Sequence, residues 1–249
     1  MPPIRAYYRP STLAEALQLL ARSGITTAVL AGGTYLNAHA EGVDEVVDLQ
    51  ALGLEGVAVA DGRLHLGTMT RVQTLVETAA APTVLRQVAH REGPNTFRHQ
   101  GTIGGVIVRA DPESELLAAL LVFEAEVTVQ NMAGSRTLSL ADFLADVPAA
   151  LAGGILTAVS VATTGAAAAE RVARTPADSP IVAALGRKTP DGRLLLALCG
   201  VAKTPVLVAP ERLNDLDPPA DFRGSSEYRR AMAILLSERV LARLTAAAP

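Results

Sequence analysis

The sequence predicts an α+β fold made of two units. Pairs of short apolar strands flank glycine turns, and amphipathic helices with recognisable caps lie between them. A segment poor in large apolar residues, 164–178, separates a long first unit from a shorter second one. No internal repeat with a period of roughly 20 to 50 residues is present, so a solenoid is not expected.

The first predicted elements are a helix, a strand, a glycine loop and a second strand. Thr12 and Glu15 form a capping box, and the apolar residues after them share one helical face, which predicts a helix over 12–23. Residues 26–31 form a short apolar run that enters the segment AGGTYLNA, and residues 45–49 form another. We expect both runs to be strands.

A hairpin, two helices and a second glycine segment follow. The dipeptide at 61–62, Asp-Gly, lies between two alternating apolar runs, which is a hairpin signal. Residues 70–78 and 82–91 have helical periodicity, and Gly-Pro-Asn at 93–95 interrupts it. The segment GTIGGVIV at 101–108 is predicted as a loop that precedes the next helix.

The first unit closes with one more helix and three strands. Pro112 and the acids after it predict the start of a helix in ESELLAALLVF. EVTVQN and the turn at Gly134 predict a strand pair, and ADFL predicts a short helix or turn. The run ILTAVSVAT is the expected closing strand of a domain over 1–163.

A linker and a small C-terminal domain complete the predicted organisation. A glycine and a proline in TTGAAAAERVARTPADS favour a linker over 164–178. In the predicted domain 179–249, Pro-Asp-Gly at 190–192 joins two apolar runs as a hairpin. Ser225 would cap an amphipathic helix over 225–244, which is expected to pack on the core and carries no chemistry.

The composition excludes several classes of protein. The 249-residue chain has a formal net charge of −3, so it lacks the basic field that attracts a nucleic-acid backbone. It has no apolar run of the roughly 18 to 20 residues that a membrane span needs. The segment MPPIRAYYRP does not resemble a secretory signal, and we expect a cytoplasmic protein.

The few cysteines and histidines predict no metal site. Cys199 is the single cysteine and lies in the apolar run LLLALCGVA, which is typical of a small buried side chain. One cysteine does not supply the four ligands of an iron–sulfur cluster. The four histidines lack the spacing of a metal motif.

The two glycine segments, AGGTYLNA and GTIGGVIV, match neither of the common phosphate-binding fingerprints. No lysine follows the glycines as in a P-loop, and the G-x-G-x-x-G spacing is absent. Glycines nevertheless allow backbone N–H groups to approach a pyrophosphate, and Thr34 and Thr102 would add hydroxyl donors. Two interpretations remain open, namely two tight turns or a clasp on one diphosphate.

The order of several motifs resembles a known family. AGGT followed by VVDL, then GTIGG with ADPESELLAALL, then RTLSLADFL and ILTAVSV occur in this chain as they do in the flavin-binding medium subunits of molybdenum hydroxylases. Xanthine dehydrogenase and carbon monoxide dehydrogenase belong to that group. RTPADSPIVAAL and FRGSSEYRRAMAILLSERVL are similar to the family's small C-terminal domain.

The resemblance implies an FAD fold. An N-terminal domain of two subdomains, about 1–52 and 53–163, would hold the diphosphate and adenosine, and the C-terminal domain would help enclose the flavin. Residue by residue, the resemblance assigns the following positions to FAD: Ala31, Gly32, Gly33, Thr34, Tyr35 and Leu36 in the first segment, and Gly101, Thr102, Gly104 and Gly105 in the second.

Glu115 is assigned by the same resemblance. It stands where the family usually has an aspartate near the adenine ribose, and a carboxylate there accepts from a ribose hydroxyl. The alternative is a first-turn acid at a helix N-terminus, and the two roles are compatible.

Four positions depart from the family pattern. Val106 replaces the asparagine that usually follows the glycine pair, which removes a side-chain amide. Arg109 would offer phosphate a charge-assisted hydrogen bond instead, or is a surface arginine. Tyr35 replaces a residue that is often polar or acidic near the flavin, or anchors its loop. Gly154 replaces a frequent glutamate, and the C-terminal unit is short.

The function that the resemblance implies is electron transfer. FAD would take electrons from the clusters of a separate iron–sulfur subunit and pass them to NAD⁺, a quinone or oxygen, while a molybdopterin subunit hydroxylates the substrate. The alternative is a structural or regulatory subunit that kept the fold and binds FAD weakly or not at all. A flavin oxidase would need a covalent-flavin histidine or a substrate domain, and the sequence shows neither.

Overall fold

The computed structural model describes residues 4–246, so the outermost residues of the predicted domains 1–163 and 179–249 lie outside the described part. The helices are α1 (Leu13–Leu20), α2 (Val72–Glu77), α3 (Thr83–Arg91), α4 (Asn95–Gln100), α5 (Ile103–Arg109), α6 (Glu115–Val122), α7 (Leu140–Ala145), α8 (Val147–Leu151) and α9 (Ser226–Ala246). The strands are β1 (Ala6–Tyr8), β2 (Thr27–Leu30), β3 (Glu45–Asp48), β4 (Val57–Ala60), β5 (Arg63–Gly67), β6 (Glu126–Asn131), β7 (Gly134–Ser139), β8 (Ile155–Ala162), β9 (Ala166–Val172), β10 (Val182–Lys188), β11 (Leu194–Cys199) and β12 (Val206–Leu207).

The first sheet is parallel, with strand order β1-β3-β2, and α1 packs beside it. One half of the predicted capping box is confirmed at Thr12, whose side-chain oxygen accepts from the N–H of Glu15 at 3.3 Å. The first glycine segment leaves this sheet at the end of β2. The sequence therefore predicts correctly that the first glycine segment follows a strand.

The second sheet is antiparallel, with strand order β4-β5-β8-β6-β7. The predicted hairpin forms β4 and β5, and EVTVQN forms β6, which pairs with β7 across the predicted turn at Gly134. Helices α2, α3, α5 and α6 contribute to one apolar core with this sheet. Every residue of α6 is buried, because α6 contacts α3 as well as strands of the third sheet.

The third sheet is antiparallel, with strand order β12-β11-β10-β9, and lies between α6 and α9. The predicted C-terminal hairpin is confirmed as β10 and β11. Cys199 ends β11 and is buried, and burial raises the pKa of its thiol well above the ordinary value. Its position agrees with the prediction of a small buried side chain.

The predicted linker 164–178 is wrong over about half of its length. Residues Ala166–Val172 form β9, which pairs with β10 along all seven residues. The strand packs on both faces, since Ala167 and Ala169 contact the main core while Ala168 and Val172 contact the core under α9. Small side chains suit this doubly covered position, so tertiary packing overrides the low strand propensity of alanine.

The second glycine segment also differs from its prediction. It is the start of α5 and not a loop, because the side-chain oxygen of Thr102 accepts from the N–H of Gly105 at 3.0 Å and caps the helix. Gly104 is required by packing, since a Cβ there would lie 2.7 Å from the Cβ of Thr68. The glycine thus permits a close contact between α5 and the end of β5.

Two helix starts near this segment are also corrected. After the predicted break, Asn95 begins the short helix α4. The helix predicted to start at Pro112, α6, begins at Glu115 instead, because the side-chain oxygen of Ser114 accepts from the N–H of Leu117 at 3.0 Å. In the described chain no helix is long and apolar enough to cross a membrane.

Candidate functional site

The two glycine segments meet in the fold. We call residues 31–36 the first segment and residues 101–109 the second segment. The backbone at Gly32 touches the backbone at the end of α4, so a Cβ at Gly32 would overlap the carbonyl oxygen of Gln100 and lie 2.8 Å from its carbon. Only glycine permits this approach, which holds the two segments against each other.

A groove of about 210 Å³ lies between the two segments. Ten of the twelve residues predicted for FAD line it: Ala31, Gly32, Gly33, Thr34, Tyr35, Leu36, Gly101, Thr102, Gly105 and Arg109. Gly104 lines a neighbouring apolar cavity of about 120 Å³ that shares Thr102 and Gly105 with the groove. Positions separated by about seventy residues in the sequence therefore form one surface.

The first segment carries the unused hydrogen-bond donors of the groove. The backbone N–H groups of Gly32, Gly33, Thr34 and Tyr35 donate to no acceptor in the described chain. Successive free N–H groups of this kind form anion-binding concavities. This segment is therefore suited to a diphosphate.

The second segment has few free backbone donors. The N–H groups of Ile103 and Gly104 donate to the carbonyl oxygens of Thr70 and Thr68, at 2.9 and 2.8 Å. The Gly105 N–H donates to the Thr102 hydroxyl oxygen, which leaves the hydroxyl proton to donate elsewhere. The second segment therefore supplies space and a hydroxyl group rather than a row of amides.

Tyr35 lies in a stack of three side chains at the rim of the groove. Its ring is parallel to the ring of His39, with centroids 4.1 Å apart, and the Arg109 guanidinium lies 5.5 Å from the Tyr35 ring centroid. Arg109 also pairs with Asp111, at 2.7 Å. These contacts support the interpretation of Tyr35 as an anchor of its loop. No motif in the sequence pointed to His39.

Glu115 lies outside the groove. Its side chain is 4% exposed and pairs with Arg91 Nη2 at 2.5 Å and with Arg171 Nη1 at 3.0 Å. It lines a separate cavity of about 90 Å³, together with Glu92 and Arg109. The structure therefore places Glu115 at the first turn of α6, where it joins this helix to β9, and its cavity includes only Arg109 of the two glycine segments.

Glu92 is a groove residue that no sequence motif reveals. It lines both the groove and the Glu115 cavity, and its carboxylate accepts from the Ser114 hydroxyl at 2.8 Å. Burial is the main cause that raises the pKa of Glu92 to about 8, and the nearby Asp111 and Glu115 carboxylates contribute in the same direction. The hydrogen bonds from Ser114 and Leu116 act in the opposite direction.

Residues 3–163 match the family described as the FAD binding domain in molybdopterin dehydrogenase. The chain belongs to this family. The uncharacterized protein YgfM of Escherichia coli strain K12 is 30% identical, over 91% of each chain. The carbon monoxide dehydrogenase medium chain of Afipia carboxidovorans is 28% identical, over 97% of each chain.

Solved structures show the same fold. Carbon monoxide dehydrogenase from Hydrogenophaga pseudoflava superimposes with a TM-score of 0.89, over 99% of each chain, at 23% sequence identity. The predicted fold class is thereby confirmed. As a member of the molybdopterin dehydrogenase family, the chain is an oxidoreductase subunit, and FAD is its cofactor.

The backbone of the groove suits FAD, whereas some side chains of this flavoprotein differ from the family pattern. Free N–H groups line one wall, and a Cβ at Gly105 would meet only the Thr102 hydroxyl, at 3.1 Å. Val106 lines the groove, and the residue is only 6% exposed. At Gly154, a Cβ would lie 2.9 Å from the Cβ of Asn131, so a glutamate there would require β6 to move.

The raised pKa of Glu92 predicts that the stability of the flavoprotein depends on pH. Its pKa of about 8 lies above the ordinary value of 4.5, so between these values the folded chain holds a proton that the unfolded chain releases. Stability is therefore expected to fall as the pH rises through this interval. We predict that Glu92→Gln flattens the profile, measured as the free energy of unfolding in urea at about pH 6 and about pH 9.

Glu126→Gln is the matched control, because Glu126 is an exposed carboxylate with an arginine partner. It should leave the pH profile of the parent protein unchanged. A Glu92→Gln variant with the same pH profile as the parent would contradict the assignment to Glu92.

Proposed function

We propose that this chain is the electron-transfer subunit of a molybdenum hydroxylase. Its partners would be an iron–sulfur small subunit, from which electrons reach FAD, and a molybdopterin large subunit. The relative from Afipia carboxidovorans, a carbon monoxide dehydrogenase medium chain, supports this placement because it aligns over nearly the whole chain. The single buried cysteine supports a separate cluster-bearing partner.

The observation that carries the proposal is the row of free N–H groups in the first segment. Gly32, Gly33, Thr34 and Tyr35 line the groove, and their four backbone N–H groups have no acceptor in the described chain. The residues that line the groove include no lysine. We infer that these donors bind the FAD diphosphate, and that the Thr102 hydroxyl adds a donor from the opposite segment. When bound, FAD supplies both one-electron and two-electron chemistry.

We infer that Glu115 positions α6 and β9. Because both of its carboxylate oxygens accept from arginines, it holds α6 and β9 in place beside the FAD groove. A carboxylate has further lone pairs, so a ribose hydroxyl is still able to donate to Glu115 where it lines its cavity. The first-turn and ribose interpretations therefore remain compatible.

Arg109 is expected to strengthen FAD binding. It lines the groove as a guanidinium, and charge-assisted hydrogen bonds to phosphate contribute about 1.5 kcal/mol or more. We predict that Arg109→Ala raises the FAD Kd about tenfold, and that Arg109→Lys raises it less because the charge is kept. Isothermal titration with FAD measures both. An unchanged Kd in Arg109→Ala would show that Arg109 only pairs with Asp111 and supports Tyr35.

The electron-transfer role is tested with the FAD-loaded chain and its cluster-bearing partner. Under anaerobic conditions, adding the reduced iron–sulfur subunit should bleach the flavin absorbance of this chain. The unreduced partner is the control. Bound FAD that stays oxidised in the complex would contradict electron transfer and favour the alternative, a structural or regulatory subunit that kept the fold.

A further inference from the structure

A pocket lined by arginines shares Arg91 with the Glu115 cavity, at the junction of α3 and the third sheet. Arg91 comes from the end of α3, Arg171 from β9, and Arg174 from the segment after β9. The pocket has a volume of about 330 Å³. No residue of the two glycine segments lines it, so it is separate from the groove.

The acidic partners of the three arginines lie outside the lining of this pocket and do not use all of the arginine donors. Glu115 accepts from Arg91 Nε and Nη2 and forms an ion pair with Arg171 Nη1, while Asp178 Oδ2 lies 3.5 Å from Arg174 Nε. The two carboxylates that pair directly with the three guanidinium groups leave one positive charge without a paired carboxylate. The terminal nitrogens of Arg174 have no protein acceptor in the described chain.

The surroundings favour an anion with several acceptor oxygens. Arg171 is held by Glu115 and by the backbone carbonyl of Asp178, so its guanidinium is fixed before a ligand arrives. Arg174 is 62% exposed and free to close on a ligand from the solvent side. The Thr175 side chain adds a hydroxyl group to the lining. Guanidinium groups from three directions match the oxygens of a terminal phosphate better than a planar carboxylate.

We propose that the pocket of Arg91, Arg171 and Arg174 binds the phosphate group of a small phosphate-bearing molecule. Free phosphate and a nucleotide with a terminal phosphate both carry the group that these arginines would bind. A nucleotide in this pocket would lie at the junction of α3 and the third sheet. This site is independent of the proposed electron-transfer role, because it uses residues that do not line the FAD groove.

The test is isothermal titration of the full chain with inorganic phosphate at constant ionic strength, with and without bound FAD. One phosphate should bind per chain in both forms, with a Kd of about 1 mM or below. Arg174→Ala should raise this Kd at least about tenfold. Arg212→Ala is the matched control, because Arg212 is 72% exposed and also pairs with a neighbouring aspartate through Nε.

A second titration, of the FAD-loaded chain, compares adenosine monophosphate with adenosine. Tighter binding of the monophosphate than of phosphate would identify a nucleotide site, equal binding would identify a phosphate site, and adenosine should not bind in either case. No saturable binding up to about 10 mM phosphate would overturn the proposal. So would binding that Arg174→Ala leaves unchanged, or binding that occurs only without FAD and is weakened by Arg109→Ala, which would place the anion in the groove.

Discussion

Gly32→Ala should nearly abolish FAD binding. The added methyl group would overlap the Gln100 carbonyl oxygen, so the first segment would have to move away from the end of α4. That movement separates the free N–H groups of the first segment from Thr102 and opens the groove. We expect the FAD Kd to rise at least about a hundredfold, or about 2.8 kcal/mol. A fluorescence titration with FAD measures the change.

Gly42→Ala is the control for this prediction. Gly42 follows the first segment, has a positive φ of 74°, and leaves open space around an added Cβ. Its replacement should cost about 1 kcal/mol of folding stability because of backbone strain, with FAD affinity unchanged. Equal FAD affinity in Gly32→Ala and Gly42→Ala would contradict the role of the contact between Gly32 and Gln100.

Glu115→Gln should produce a large loss of stability. The substitution removes the negative charge between two partly buried arginines, Arg91 and Arg171, and leaves their charges uncompensated. Loss of one partner from a buried ion pair costs about 3 kcal/mol, which for a chain of this size lowers the melting temperature by roughly 10 °C. Thermal unfolding followed by circular dichroism measures this shift.

The control for Glu115 is Glu126→Gln. Glu126 pairs with Arg63 Nη2 at 3.1 Å but is 52% exposed, and exposed ion pairs contribute less than about 1 kcal/mol. The melting temperature of this variant should stay close to that of the parent. A similarly small shift in Glu115→Gln would show that the carboxylate does not hold α6 and β9 together.

Local signals explain which elements the sequence predicts correctly. The Thr12 cap, the hairpin of β4 and β5 and the C-terminal helix rest on contacts between residues close in sequence. The strand β9 does not, because alanines form a strand there only through pairing with β10 and cover on both faces. The glycines of the second segment are typical of a loop, but Gly104 is present because its helix packs closely on Thr68, which is distant in sequence.

In the candidate site, too, local sequence signals are predictable and contacts between distant residues are not. The glycine segments follow from sequence motifs, and the structure brings them to one groove. The partners of Glu115 were not predictable, since Arg171 lies in the segment expected to be a linker. The environment of Glu92 depends on distant residues around the start of α6, with which it forms hydrogen bonds. Neither the spacing nor the residue type reveals such a position.

We propose that the two glycine segments form an FAD site without a phosphate-binding lysine. Titration of the purified chain with FAD tests it most directly. One FAD per chain should bind, giving a yellow protein whose flavin stays with it through gel filtration. A chain that takes up no flavin, either alone or with its partner subunits, would contradict the claim.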